Sequence, residues 1–204
     1  MLLSPDEIKL FYSNFLGLLS FVNDKYNLIQ DFGHPKDPAE LLPKNVVTLK
    51  DKLWDDIEII DEYINSRKKM TKEQLQILEG WHNRISGNFV LMKYLKKYAV
   101  FLDQRNNLLY GVIGITNPIN LTLPHRLPIL IKAVLLPFND MIIYDSILQP
   151  FDIQFGKNVR SDLNEKYTEI KKEKGIITTI YCSYLKFSDL KASKPAVRKL
   201  GRRR

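Results

Sequence analysis

Cysteine is nearly missing from this chain: Cys182 stands alone, which excludes an internal disulfide and any zinc knuckle built on cysteine, and fits a reducing compartment. No run reaches the roughly 18 to 20 apolar residues needed to cross a bilayer. The opening MLLSPDEIKL also lacks the basic residues and long apolar stretch of a secretion signal. These absences predict a cytoplasmic protein with no membrane segment. Two catalytic signatures are missing as well. Neither G-x-S-x-G nor G-x4-G-K-[ST] occurs, and the pair Gly156-Lys157 has no upstream glycine and no hydroxyl residue after it. Histidine is scarce: His34 and His125 sit in proline-containing loops, and His82 closes the stretch Glu79-Gly80-Trp81-His82. Glu-x-x-His places a carboxylate and an imidazole on one helix face, but a di-metal site needs a second copy and further glutamates from other helices. The sequence therefore calls for no metal and no cofactor.

What is present is a substantial core. Of 204 residues, 45% are hydrophobic and 11% aromatic, enough for a folded globular chain. The formal charge of +8 is unevenly placed. From Lys191 onward the chain reads KASKPAVRKLGRRR, with seven basic residues and no acid, so residues 1–190 hold 24 basic against 23 acidic side chains. Nearly all the excess charge is thus a C-terminal tail, broken by Pro195 and Gly201, for which flexibility is expected.

The first part of the chain has helical periodicity. Ser4-Pro5-Asp6-Glu7 forms a capping box with proline at the first helical position, and Ile8, Phe11, Phe15, Leu18, Leu19 and Val22 recur at spacings of three and four, predicting a helix over 5–23. Residues 31–45 carry three prolines and a glycine and predict a connection with at most one helical turn, at Asp37-Pro38-Ala39-Glu40. A second long helix is expected over 49–66, with Leu49, Leu53, Ile57, Ile60 and Ile64 inward, and a third over 71–85, capped by Thr71 toward Gln74.

After Gly87 the period changes to two and the residues become β-branched and aromatic. FVLMKYL, YAVFLD and LLYGVIGI predict strands, the last two joined by Gln104-Arg105-Asn106-Asn107, and Gly111 and Gly114 suggest sharp coiling. Two further strands, LPILIKAVLLPF and MIIYDSIL, flank Pro137-Phe138-Asn139-Asp140, which predicts a four-residue turn. A helix over 158–174 ends in lysines with Gly175 as its cap, and IITTIYCSYL predicts a closing strand. The expected fold class is α+β: an N-terminal helical segment, 1–86, packed on a coiled antiparallel β-sheet or small β-barrel, 87–190, that carries one C-terminal helix, followed by the basic tail, 191–204. The boundary near Ser86-Gly87 has no linker composition, so one continuous unit is expected.

The stretch LLPFNDMIIYDSIL followed by Phe155-Gly156, together with Trp81, Phe89, LKKYAVFL, YGVIG and KGII, resembles a set of uncharacterised bacterial proteins sharing an LLPF-x3-IIYD-x2-L core. The likeness covers about residues 80–180. It implies a β-rich module and assigns no catalytic residue.

Candidate functional residues fall into four groups. Asp103 and Asp145 end strands, where a carboxylate pair can do acid and base work in a hydrolase-like enzyme, but aspartate is also ordinary turn chemistry there. Asp51, Asp55, Glu58 and Glu62 form a stripe on the second helix, either a solvated face or a receiver for the basic tail. Cys182 lies in an apolar strand and is expected to pack. For nucleic acid, Lys191, Lys194, Arg198, Lys199, Arg202, Arg203 and Arg204 can neutralise phosphates, while Lys93, Lys96 and Lys97 interleave with Tyr94, Tyr98, Phe101 and Tyr110 as a basic and aromatic group. A near-neutral body and the lack of a catalytic constellation favour instead a binding module or adaptor whose partner is a protein. The exposure of the tyrosines separates these two readings.

Overall fold

The computed structural model describes residues 2–180. Helix α1 (Pro5–Tyr26) opens as its capping box dictates, with the Ser4 side chain accepting from the Glu7 amide and Glu7 accepting from the Ser4 amide, and closes on Asn27 in the left-handed conformation. A 3-10 turn at Pro38–Glu40, where Asp37 caps the Ala39 amide, leads to α2 (Pro43–Asp55), α3 (Ile59–Ser66) and α4 (Lys72–Gly80). The single helix expected over 49–66 is therefore two helices. Consecutive carboxylates at Asp55 and Asp56 are unfavourable at the negative end of a helix. Asp56 leaves helical geometry at φ −122°, ψ 81°, and its carboxylate instead accepts from the Tyr26 hydroxyl. Leu49, Leu53 and Ile60 point inward as the spacing predicts, while Ile57 and Ile64 are half-buried at the break and at the end. The third helix is also shorter than expected, giving way to a 3-10 turn at Trp81–Asn83.

Five strands close a barrel: β1 (Ile85–Tyr94), β2 (Ala99–Asp103), β3 (Leu108–Val112), β4 (Ile129–Phe138) and β5 (Met141–Tyr144), with a one-turn helix α5 (Ile119–Thr122) between β3 and β4. The ring runs β1-β2-β3-β5-β4 and returns to β1 through seven residue pairs from Ile85↔Leu135 to Leu91↔Ile129. All contacts are antiparallel except β3 with β5, which is parallel and limited to Val112↔Ile142. Beside that thin contact, Ile177 lies along β3: the Gly111 amide donates to its carbonyl and its amide donates to Leu109, both at 2.8 Å. The expected closing strand is present here as a single bridge, and residues 181–185 of that expectation lie outside the described residues. Short β6 (Gln149–Pro150) pairs with Ile131 and Lys132 of β4.

The β4–β5 connection corrects one expectation. Pro137 and Phe138 belong to β4, paired with Ile142 and Met141, so the turn has two residues, Asn139 and Asp140, with Asn139 at φ +51°. Asparagine tolerates that left-handed geometry. Proline is accepted in the strand because pairing of β4 with β1 ends at Leu135, leaving no neighbour for the amide that proline lacks.

Two apolar layers account for the wholly apolar strands. Phe89, Leu91, Phe101, Tyr110 and Val112 join the helices' Phe11, Phe15, Leu53, Ile60 and Trp81 in one core. The alternate residues Val90, Met92, Val100, Leu102 and Leu109 face outward and are covered by Leu163, Tyr167 and Ile170 of α6 (Lys157–Glu173). Both faces of β2 are therefore buried, which replaces polar alternation by a continuous apolar run. Gly175, at φ +76°, ends α6 as its position predicts.

Candidate functional site

The basic and aromatic group of the β1–β2 hairpin is largely spent on packing. Tyr110 and Phe101 lie in the core. Tyr94 is half-buried and donates its hydroxyl to the Pro124 carbonyl at 2.9 Å. Tyr98 lies over Gly111, where a Cβ would meet the ring at 2.9 Å, so only glycine leaves room for it. Lys93 places its ammonium 4.6 Å from the centre of the Tyr167 ring on α6, a cation–π contact that ties the helix to the barrel. Lys96 and Lys97 are exposed beside Leu95. The hairpin thus presents lysines without a free aromatic face next to them. The seven basic residues from Lys191 to Arg204 lie outside the described residues, as does Cys182.

The two strand-end carboxylates do not meet. Asp103 ends β2 opposite Leu108 at the start of β3, whereas β5 runs parallel to β3 and delivers Asp145 beyond its far end. They occupy opposite ends of the barrel. Asp103 organises its own turn, accepting from the Arg105 and Asn106 amides and from the Asn106 side chain.

Asp145 enters a buried polar knot at the seam between helices and barrel. Its Oδ2 accepts from Lys50 Nζ and from Trp54 Nε1 of α2, each at 2.8 Å, and carboxylate and ammonium are both shut off from solvent. Burial pushes the Asp145 carboxyl up from its usual value, while Lys50 and Trp54 pull it back. Arg84 stacks on the Trp54 ring at 5.6 Å and donates to the Trp54 carbonyl at 2.7 Å. Asp145 Oδ1, Ser146 Oγ, Arg84 Nε and Trp81 Nε1 are buried with no hydrogen-bond partner among the described residues. Unpaired polar atoms of this kind are commonly met by buried water. Sequence spacing could not reveal the knot, since Lys50 and Asp145 are 95 residues apart. The only hint was an aspartate directly after an apolar strand.

The acidic stripe is divided by the helix break. Asp51 approaches Lys132 of β4 at 3.7 Å, and Glu62 is held by Lys25 of α1 at 2.8 Å. His82 pairs with Asp61 at 3.0 Å on the exposed side of α3. Among the described residues, no three His, Cys, Asp or Glu side chains gather in a way that could hold a metal ion.

One surface feature was not anticipated. Phe151, Ile153 and Val159 are 38%, 48% and 45% exposed. They are three of the eight large exposed apolar side chains among the described residues, and they fall within nine positions of the chain, a strip of sequence rather than scattered points. The strip follows β6, which among the described residues pairs on one side only, with β4. Phe151 continues that pairing through its amide to Leu130 at 2.9 Å. No described helix is long and apolar enough to cross a membrane. No protein-family model, curated protein or solved structure matches the chain.

Proposed function

We propose that the protein is a non-catalytic binding module that recognises a protein partner, and that the partner docks on β6 and the strip Phe151, Ile153 and Val159. The observation that carries this reading is the coincidence of a one-sided strand edge with three exposed apolar side chains. A partner laid along this edge gains apolar contact with the three side chains, and because Pro150, whose backbone faces away from β4, has no amide to donate, side-chain contact rather than strand addition carries the docking. The three side chains are already more than half covered, so burying what remains is worth roughly 1 kcal/mol each. The test places a photo-crosslinking residue at position 153 of the full chain in its native cells, with one at the exposed position 173 as control. The expected result is a protein adduct of defined mass at 153 that fades when Phe151→Ser is added. Equal labelling at the two positions, or adducts sensitive to nuclease, would overturn the proposal.

A second reading is favoured by the separation of charge along the chain. Seven basic residues in 191–204, against a near-neutral remainder, support phosphate contact by the tail. Titrations with mixed DNA and RNA oligonucleotides at two salt concentrations, using the full chain and a chain ending at Leu190, decide it. Salt-sensitive binding lost with the tail supports it, and binding by neither chain removes it.

A further inference from the structure

Away from the strip, α1, α3 and the loop carrying His34, Pro35 and Lys36 enclose a cleft of roughly 380 Å³, within the range of small-molecule sites. Its shape follows from Gly17. A Cβ at that position would stand 2.2 Å from the Tyr63 hydroxyl oxygen, so the phenol occupies the space a side chain would fill. Tyr63 is 3% exposed, packs its ring 5.5 Å from that of Phe21, and carries the Arg67 guanidinium 5.4 Å from its centre. The Tyr63 ring is thus covered, and the half-buried Phe21 ring and the exposed Arg67 guanidinium stand beside it at the cleft.

The hydrogen-bonding inventory of the cleft is one-sided. The hydroxyls of Ser13, Ser20 and Ser66 already donate to carbonyls of their own helices. The Tyr63 hydroxyl has no hydrogen-bond partner among the described residues. Burial raises its pKa despite the nearby Arg67, so at neutral pH it remains protonated and able to donate. His34, Lys36 and Arg67 make no ion pair among the described residues. Against these donors the cleft sets one carboxylate, Asp24. A complementary ligand supplies acceptors and negative charge at one end and a flat apolar body at the other.

We propose that this cleft binds a small aromatic anion, with the ring against Phe21 and the anionic group held by Arg67 and the Tyr63 hydroxyl. Nuclear magnetic resonance titrations of the full chain with phenyl phosphate, benzoate and neutral benzyl alcohol test it. Both anions are expected to give saturable shifts at the amides of Gly17, Phe21, Ser66 and Arg67, with benzyl alcohol at least about tenfold weaker, the scale of one charge-assisted hydrogen bond. Arg67→Gln changes an exposed side chain and is expected to weaken the anions by about tenfold. Tyr63→Phe weakens them several-fold, and Lys172→Gln on α6 leaves them unchanged. Equal binding of benzyl alcohol, unchanged affinity in Arg67→Gln, or no saturable shift with either anion would overturn the proposal.

Discussion

At the scale of single residues, the most consequential side chain is Asp145. Its ion pair with Lys50 is shut off from solvent, and removing one partner strands the other charge in the interior. Lys50→Met is expected to destabilise the protein by about 3–5 kcal/mol, whereas replacing both residues by apolar ones of similar volume costs much less, because breaking a buried pair is worse than never having it. Urea denaturation of the two single variants and the double variant measures the difference. Tyrosines supply a second residue-scale prediction. Burial pushes the Tyr144 phenol up to about 12 from its usual 10. Its contribution to stability is therefore whole below pH 10, where even the unfolded chain keeps its proton, and is lost as pH rises toward 12. The two-unit difference corresponds to about 2–3 kcal/mol. Thermal melts between pH 9 and 12, with tyrosinate absorbance followed in parallel, should show an alkaline loss of stability that Tyr144→Phe reduces.

At the scale of elements, local signals and long-range ones part company. Ser4→Ala removes a cap whose partners lie within three residues, and a loss of about 1 kcal/mol is expected. Asn139→Val puts a β-branched residue at φ +51° in the two-residue β4–β5 turn and should cost a comparable or larger amount; denaturation midpoints of both variants check these. The same division explains what could be read from the amino acids. Helices α1, α4 and α6, the strands and the Gly175 cap depend on near neighbours, and their periodicity and capping residues were visible. The break after Asp55 was not, because the inward spacing of leucine and isoleucine continues across it. The adjacent carboxylates Asp55 and Asp56 are a weak local signal against that spacing, and the partner that receives Asp56 outside the helix, Tyr26, is 30 residues away. Pro137 reads as a turn residue in sequence for the same kind of reason: its place in β4 depends on the absence of a neighbour on one side, which no local pattern encodes. The basic and aromatic hairpin showed the converse, as its composition suggested a surface while Gly111 and Tyr167 draw its side chains into contacts.

At the scale of the whole molecule, helices and barrel share one apolar core. Phe11, Phe15 and Trp81 pack against one another and Phe11 meets Phe138 of β4, with ring centres 5.3 to 6.3 Å apart. Because no solvent layer separates the two parts, calorimetry of the full chain should show one transition with equal calorimetric and van't Hoff enthalpies. A fragment beginning at Arg84 would expose the inner face of the barrel and is expected to aggregate, which light scattering would reveal. Two resolved transitions, or a soluble folded fragment, would contradict this.

The chain's two tryptophans, Trp54 and Trp81, sit with ring centres 6.4 Å apart at a 73° angle. Indoles that close and that rigidly crossed couple their electronic transitions, so the seam carries a native chromophore pair. Circular dichroism in the aromatic region should show a strong signature that vanishes with Trp54→Phe. Any event that shifts α2 against the barrel, including loss of the Trp54–Asp145 hydrogen bond, can then be followed optically without attaching a dye.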